Sequence, residues 1–208
     1  MYSSFMQYNE VLVTGGTSLP GGHVCRAMAD RGVLPRLMVR LGSEGRIPED
    51  LRERCRVTLG DATVREAVEF AAQGTGAIVH LAGPWKESPK KGITFEEGHV
   101  HATRNILHAA GVWGIRRLIY LSVDGARPGE PVPFLSAKGR AEELVKASDL
   151  DWTVFRPAPW YDLRDGKPRA SAKELEELAT AISFSLPRQD TYRRVLGPEE
   201  MGRDQNAA

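Results

Sequence analysis

The sequence has little cysteine. Two stand among its 208 residues, Cys25 and Cys55, and they form no close-spaced motif. That excludes a disulfide-stapled scaffold and a cysteine zinc knuckle, and it makes a reducing, cytoplasmic compartment the simplest expectation. Long hydrophobic runs are missing too. None approaches the roughly 20 apolar residues of a bilayer-spanning helix, so no membrane span is expected. The opening MYSSFMQYNE lacks the basic-then-apolar order of a secretory signal. Charge of one sign is not in excess, with 28 Lys and Arg against 27 Asp and Glu and a formal net charge of +1. Without a basic field, neither nucleic acid nor an anionic membrane is an expected partner. Internal repeats and low-complexity tracts are absent as well. What remains is a chain long enough for one domain whose core needs neither disulfides nor metal.

Short apolar runs alternate with stretches of helical periodicity. The pattern predicts strands over residues 10–14, 34–40, 56–59, 77–81, 117–122 and 152–155, and helices over 21–31, 64–72, 96–110 and 136–147. Strand–helix alternation implies βαβ units, a mostly parallel sheet and right-handed crossovers. The expected fold is therefore α/β, a Rossmann-like doubly wound sheet in a single domain. Its core spans about residues 9–162, and 163–208 form a short C-terminal extension. There Ser171 and Glu174 make a capping box ahead of a helix carrying Leu175, Leu178, Ala179 and Ile182 on one stripe, ended by Pro187. With about 46 residues after Asp162, only a reduced C-terminal substrate lobe is expected. Ligands of such folds bind outside the carboxyl ends of the strands, so the residues just after each strand are the candidates for a site.

The most informative stretch is VLVTGGTSLPGGHV, residues 11–24. Gly15, Ser18 and Gly21 hold the three positions of a G-x-x-G-x-x-G arrangement between a strand and a helix. Gly15 allows the tight turn, Gly21 allows close helix–sheet packing, and the helix N-terminus offers N–H groups to a pyrophosphate. Ser18 replaces the second glycine, and as a good N-cap it compensates. Pro20 falls in the first turn, where its missing N–H costs little. The second strand supplies a further test. NAD-preferring proteins carry a carboxylate near its end, for the ribose hydroxyls. Here the strand ends in Val39-Arg40, and an arginine suits a 2′-phosphate. NADP(H) is favoured over NAD(H) as the cofactor.

The stretches VTGGTSLPG, LMVR, LGDAT, IVHLAGP, ATRNILHAAGVWGIRRLIYLS and SAKGRAEELVKASDLDWTVFRPAPW, in this order, resemble the atypical and extended short-chain dehydrogenase/reductases. The resemblance is to the NmrA-like and complex I 39 kDa subunit-like members, and it spans about residues 11–161. It implies a nucleotide site of Gly15, Thr17, Ser18, Leu19, Pro20 and Gly21, with Arg40 beyond. Asp61 and Ala62 would border the adenine, and Leu81, Ala82 and Gly83 the adenosine ribose and pyrophosphate. Lys138 would grip the nicotinamide ribose as the remaining catalytic residue, and Pro157, after Arg156, would mark the turn toward the substrate.

The departures from that family are equally specific. Active members place a tyrosine four residues before the lysine, on one helix face, where the ammonium makes the phenol a better acid. Here that position is Phe134, which cannot donate a proton. His99 replaces an asparagine, and Ser122, the candidate serine, is followed by Val123 and Asp124. The cofactor grip looks kept and the acid–base group lost.

His99, His101 and His108 lie on one predicted helix, but their spacing is not that of a metal site, and a partly exposed helix face is the expectation. Trp85 has two equal readings, a cover for a ligand or a cap on the sheet edge. Lys86, Lys90 and Lys91 read as a solvated loop. Three functions stay open. One is an NADPH-dependent reductase whose small-molecule acceptor is a flavin, a quinone or similar. The others are a non-catalytic NADP-sensing protein acting through a protein partner, and a structural subunit.

Overall fold

A computed structural model of the chain describes residues 8–159 and 169–203. Seven strands form one wholly parallel sheet: β1 (Glu10–Thr14), β2 (Leu34–Val39), β3 (Arg56–Leu59), β4 (Ala77–His80), β5 (Arg117–Leu121), β6 (Asp151–Phe155) and β7 (Arg194–Leu196). Their order is β3-β2-β1-β4-β5-β6-β7, reversing direction between β1 and β4. That is the doubly wound topology expected, and the crevice at the reversal is where such sheets bind ligands.

The alternation along β1 shows how the sequence builds two cores. Val11 and Val13 face a layer with Val24 and Met28 of helix α1 (Leu19–Ala29) and Leu178 and Ile182 of α5 (Ala172–Ser185). Leu12 faces the other layer, with Val68 of α2 (Arg65–Ala72), Ile106 of α3 (Ala102–Trp113) and Val145 of α4 (Pro133–Lys146). Strands covered on both faces read as near-continuous apolar runs, as these do. Pro35 is tolerated because β3 begins pairing only at Arg36, which leaves Pro35 beside β1 alone.

Helix bounds shift by up to three residues, α3 running on to Trp113 and α4 starting at Pro133, and three further details differ from expectation. α1 starts at Leu19 rather than residue 21, because Ser18 is its N-cap. The third helix opens with a π-helical turn, Glu96–His101, before α3, and His99 on that turn is buried rather than on an exposed face. The C-terminal segment adds a strand that three residues, Arg194-Val195-Leu196, were too short to announce. β7 extends the sheet beside β6, and α6 (Pro198–Arg203) follows it. Most of the described extension is thus spent on the sheet and its cover. Tying it in is Arg117, buried on β5. Its guanidinium donates to the carbonyls of Ser185 and Leu186 at the end of α5, to the Asp151 carbonyl, and to the Thr153 and Thr191 hydroxyls. The polar connection expected over 163–170 lies mostly outside the described residues.

Candidate functional site

A cleft of about 730 Å³ opens at the carboxyl ends of β1, β2, β3 and β4. Ten predicted residues line it: Gly15, Thr17, Ser18, Leu19, Arg40, Asp61, Ala62, Leu81, Ala82 and Gly83. Pro20, Gly21, Lys138 and Pro157 do not line it.

The loop after β1 has the shape its glycines require. Gly15 has φ +77°, and a Cβ there would lie 2.8 Å from the Ala82 nitrogen. Gly21 packs so closely that a Cβ would come 2.2 Å from the Gly15 carbonyl oxygen. Pro20 and Gly21 thus set the helix against the sheet from behind the cleft wall. Ser18 Oγ accepts a hydrogen bond from the Gly21 N–H at 3.2 Å and so caps α1. The helix N-terminus at Thr17, Ser18 and Leu19 faces the cleft with its partial positive charge.

Electrostatics point the same way. Arg40, Arg46, Lys86 and Lys91 line the cleft. Among the described residues none of the four forms an ion pair, whereas Arg26, Arg36 and Arg54 elsewhere do. The two acids in the wall are engaged. Asp61 Oδ1 accepts from the Thr63 N–H and hydroxyl, each at 2.9 Å, and Glu97 pairs with His101 at 3.0 Å. A glycine loop, a helix N-terminus and the uncompensated Arg40 and Arg46 at the end of β2 fit a phosphate-rich dinucleotide. Ser43 and Arg46, beside Arg40, were missed from the sequence. A search for a second cation in the loop after β2 would have found Arg46.

The inner end of the crevice is a buried polar cluster. In-register pairing aligns Thr14, His80 and Tyr120 on the α3–α4 face at the ends of β1, β4 and β5. Thr14 Oγ1 and His80 Nδ1 are 2.6 Å apart. Burial, with the Lys138 charge nearby, pushes the His80 imidazole down to about 3 and holds His99 well below its ordinary value. Both are neutral at pH 7. His99 Nε2–H donates to the Pro84 carbonyl at 2.8 Å, since a carbonyl only accepts, and Nδ1 is left bare. His99 also explains Gly83, which has φ +142° and where a Cβ would lie 2.1 Å from the imidazole Cε1.

Lys138 is 6% exposed. Its ammonium donates to the Leu121 carbonyl at 2.6 Å and lies 4.9 Å from the centre of the Tyr120 ring. Burial lowers it to about 7, partly offset by the Glu142 carboxylate. Phe134, one turn earlier, meets Phe95 and His99 edge-on, with ring centres 5.5 and 5.4 Å away. Ser122 donates to Glu142, which is clamped by Arg156 at 2.9 Å. So the positions of the family's tyrosine, asparagine and serine hold a phenyl ring, a pinned neutral imidazole and a hydroxyl committed to a buried carboxylate. Of the undecided residues, Trp85 lines the cleft, as do Lys86 and Lys91, while Lys90 does not. Among the described residues no helix is long and apolar enough to cross a membrane.

Comparison with known proteins agrees with this geometry. Residues 15–191 match the family model described as NAD(P)H-binding. The chain is 28% identical over 167 residues to the mitochondrial NADH-ubiquinone oxidoreductase 40 kDa subunit of Neurospora crassa, covering 73% of this chain and 44% of that protein. It is 29% identical over 152 residues to the ceramide reductase of Caulobacter vibrioides, covering 73% and 46%. The chain therefore spans under half the length of these curated relatives. A short-chain dehydrogenase/reductase of Veillonella parvula, solved in complex with NADP, superimposes with a TM-score of 0.68 at 18% identity, covering 91% of this chain and 94% of that one. Loop, topology and family match converge: this chain belongs to the NAD(P)H-binding family, has a Rossmann-like fold, and is consistent with the atypical short-chain dehydrogenase/reductases it resembles.

Proposed function

We propose that this protein is an NADPH-dependent reductase whose acceptor is a flavin, a quinone or a similar conjugated molecule. The observation that carries the reading is Phe134, a ring without a proton, packed where the family's phenol would stand beside Lys138. Gly15, Ser18 and the α1 N-terminus would hold the pyrophosphate, and Arg40 with Ser43 and Arg46 the 2′-phosphate. The bound nicotinamide supplies a hydride. A ketone that takes up a hydride becomes a strongly basic alkoxide and needs a placed acid, which typically contributes about 10²–10⁴-fold. A quinone or flavin becomes a delocalised, weakly basic anion and takes its proton from water. Nothing around Lys138 then has to move a proton. The two free cysteines suit the cytoplasmic compartment expected from the sequence. The deciding experiment compares NADPH oxidation with a quinone, with free flavin and with a plain ketone. Turnover with the first two and none with the ketone is expected. Robust ketone reduction would overturn the reading.

A second reading is favoured by one observation. The Lys138 ammonium is committed to the Leu121 carbonyl and is buried. A nucleotide-binding protein without catalysis, regulatory or structural, needs no more. One curated relative is itself named as a subunit, that of an NADH-ubiquinone oxidoreductase. NADPH binding without oxidation by any acceptor, together with a stable protein partner, is the outcome that selects it.

A further inference from the structure

The proposed 2′-phosphate site uses two of the four unpaired cations in the cleft. Lys86 and Lys91 are left, across the glycine loop on the segment after β4. We propose that they form, with Trp85 and Ile93, an acceptor site for a planar molecule carrying an anionic group. This rests on the reductase reading and names the acceptor's chemistry.

The segment is not a loose loop. His99 fixes its start at Pro84. Ser88 and Ile93 form a two-way bridge, with the Ser88 N–H donating to Ile93 at 2.8 Å and the Ile93 N–H to Ser88 at 3.2 Å. Glu87 accepts the Phe95 N–H at 2.7 Å. Neighbouring carboxylates are thereby withdrawn from the lysines. Glu87 is spent on Phe95, Glu97 on His101, and Glu96 on Arg140. Two ammonium groups are thus presented to the cleft from a tied segment, with no carboxylate on either. Trp85, which is 41% exposed, and Ile93 give the same wall an apolar surface for a flat ring. A neutral acceptor would use that surface and gain nothing from the lysines. An acceptor with a phosphate or carboxylate would use both.

Flavin mononucleotide and riboflavin share one ring system and differ by a phosphate, so they isolate the lysine contribution. Each is titrated into NADP⁺-loaded protein and followed by quenching of flavin fluorescence, which needs no turnover. Flavin mononucleotide is expected to bind at least about tenfold more tightly. The double substitution Lys86→Ala/Lys91→Ala should abolish that preference and leave NADPH affinity within about twofold, less than the tenfold that marks a lost contact. Lys90→Ala removes the same charge per residue from the same segment, outside the cleft wall, and should keep the preference. Equal binding of the two flavins, or no binding of either, overturns the proposal. So does a loss of about tenfold or more in NADPH affinity in the double variant, because the lysines would then hold the cofactor. The two readings fail separately. A flavin mononucleotide preference without NADPH oxidation sinks the reductase and keeps the anion site. Oxidation without preference does the reverse.

Discussion

Arg40, Ser43 and Arg46 gather where β2 ends, with neither arginine held by a carboxylate. If they bind the 2′-phosphate, NADPH binds more tightly than NADH, and Arg40→Ala narrows the gap by roughly 1–3 kcal/mol, the scale of a charge-assisted contact. Calorimetric titration of both nucleotides checks this, and equal native affinities would contradict it. Gly15 faces two penalties on substitution, its positive φ and the approach of Ala82. Gly15→Val should therefore abolish nucleotide binding. Ser18 behaves differently. Its hydroxyl is a cap, and exchanging a serine cap for glycine costs only a few tenths of a kcal/mol. Ser18→Gly should bind nucleotide as well as the native protein or better. A loss beyond about tenfold would make the hydroxyl a ligand in its own right. Phe134→Tyr places a phenol among Phe95, His99 and Lys138, and weak carbonyl reduction absent from the native protein is the expected gain.

At the scale of elements, the sequence announced what local periodicity and turn chemistry can carry. The bounds of β1 and β3 were legible, as were the α5 capping box and the order of alternation. So was the shape of the loop after β1, because its glycines answer to local backbone geometry. What escaped depends on contacts far apart in the chain. β7 has three residues, too few for a pattern, and exists because Thr153, Val154 and Phe155 pair with it. The burial of His99 follows from a π-helical turn and from Gly83 and Pro84 across the crevice, which no helical wheel reveals. Arg117 read as a charged residue at a strand start, whereas it holds β5, β6 and α5 together from a buried position, its guanidinium lowered to about 10 by burial. Arg117→Met removes every one of those donors and strands buried carbonyls. The expected loss is about 2–4 kcal/mol, from about 1–3 for each buried group left unsatisfied. Denaturant unfolding measures it. The nucleotide affinity of the folded fraction should not change, since Arg117 is remote from the cleft wall.

Four buried titratable groups, His80, His99, Tyr120 and Lys138, lie together at the inner end of the crevice, and the depressed values of His80, His99 and Lys138 set how this cluster makes stability follow pH. His80 titrates near 3 when folded against 6.5 in its ordinary state, and His99 shifts the same way. Between those values the unfolded chain binds more protons than the folded one, so stability rises with pH across that window and falls on acidification. Lys138 extends the argument to the alkaline side. It titrates near 7 when folded against 10.5 ordinarily. From about 7 to about 10.5 the unfolded chain again holds the extra proton, so this group alone makes stability climb with pH through that range. The charges and titratable groups facing Lys138 are Glu142 on its own helix, His80 on β4, His99 on the π turn and Tyr120 on β5. Arg156, at the end of β6, holds Glu142. Tyr120 is raised by burial, so it gives no competing transition between 7 and 10. Lys138→Met keeps the stem in its apolar surroundings and removes the charge. Its unfolding free energy, measured in denaturant from pH 6 to 10, should lack the rise attributed to Lys138 in the native protein, and the gap between the two should shrink steadily above pH 7. Parallel curves across that range would show that the ammonium is not desolvated as its burial implies.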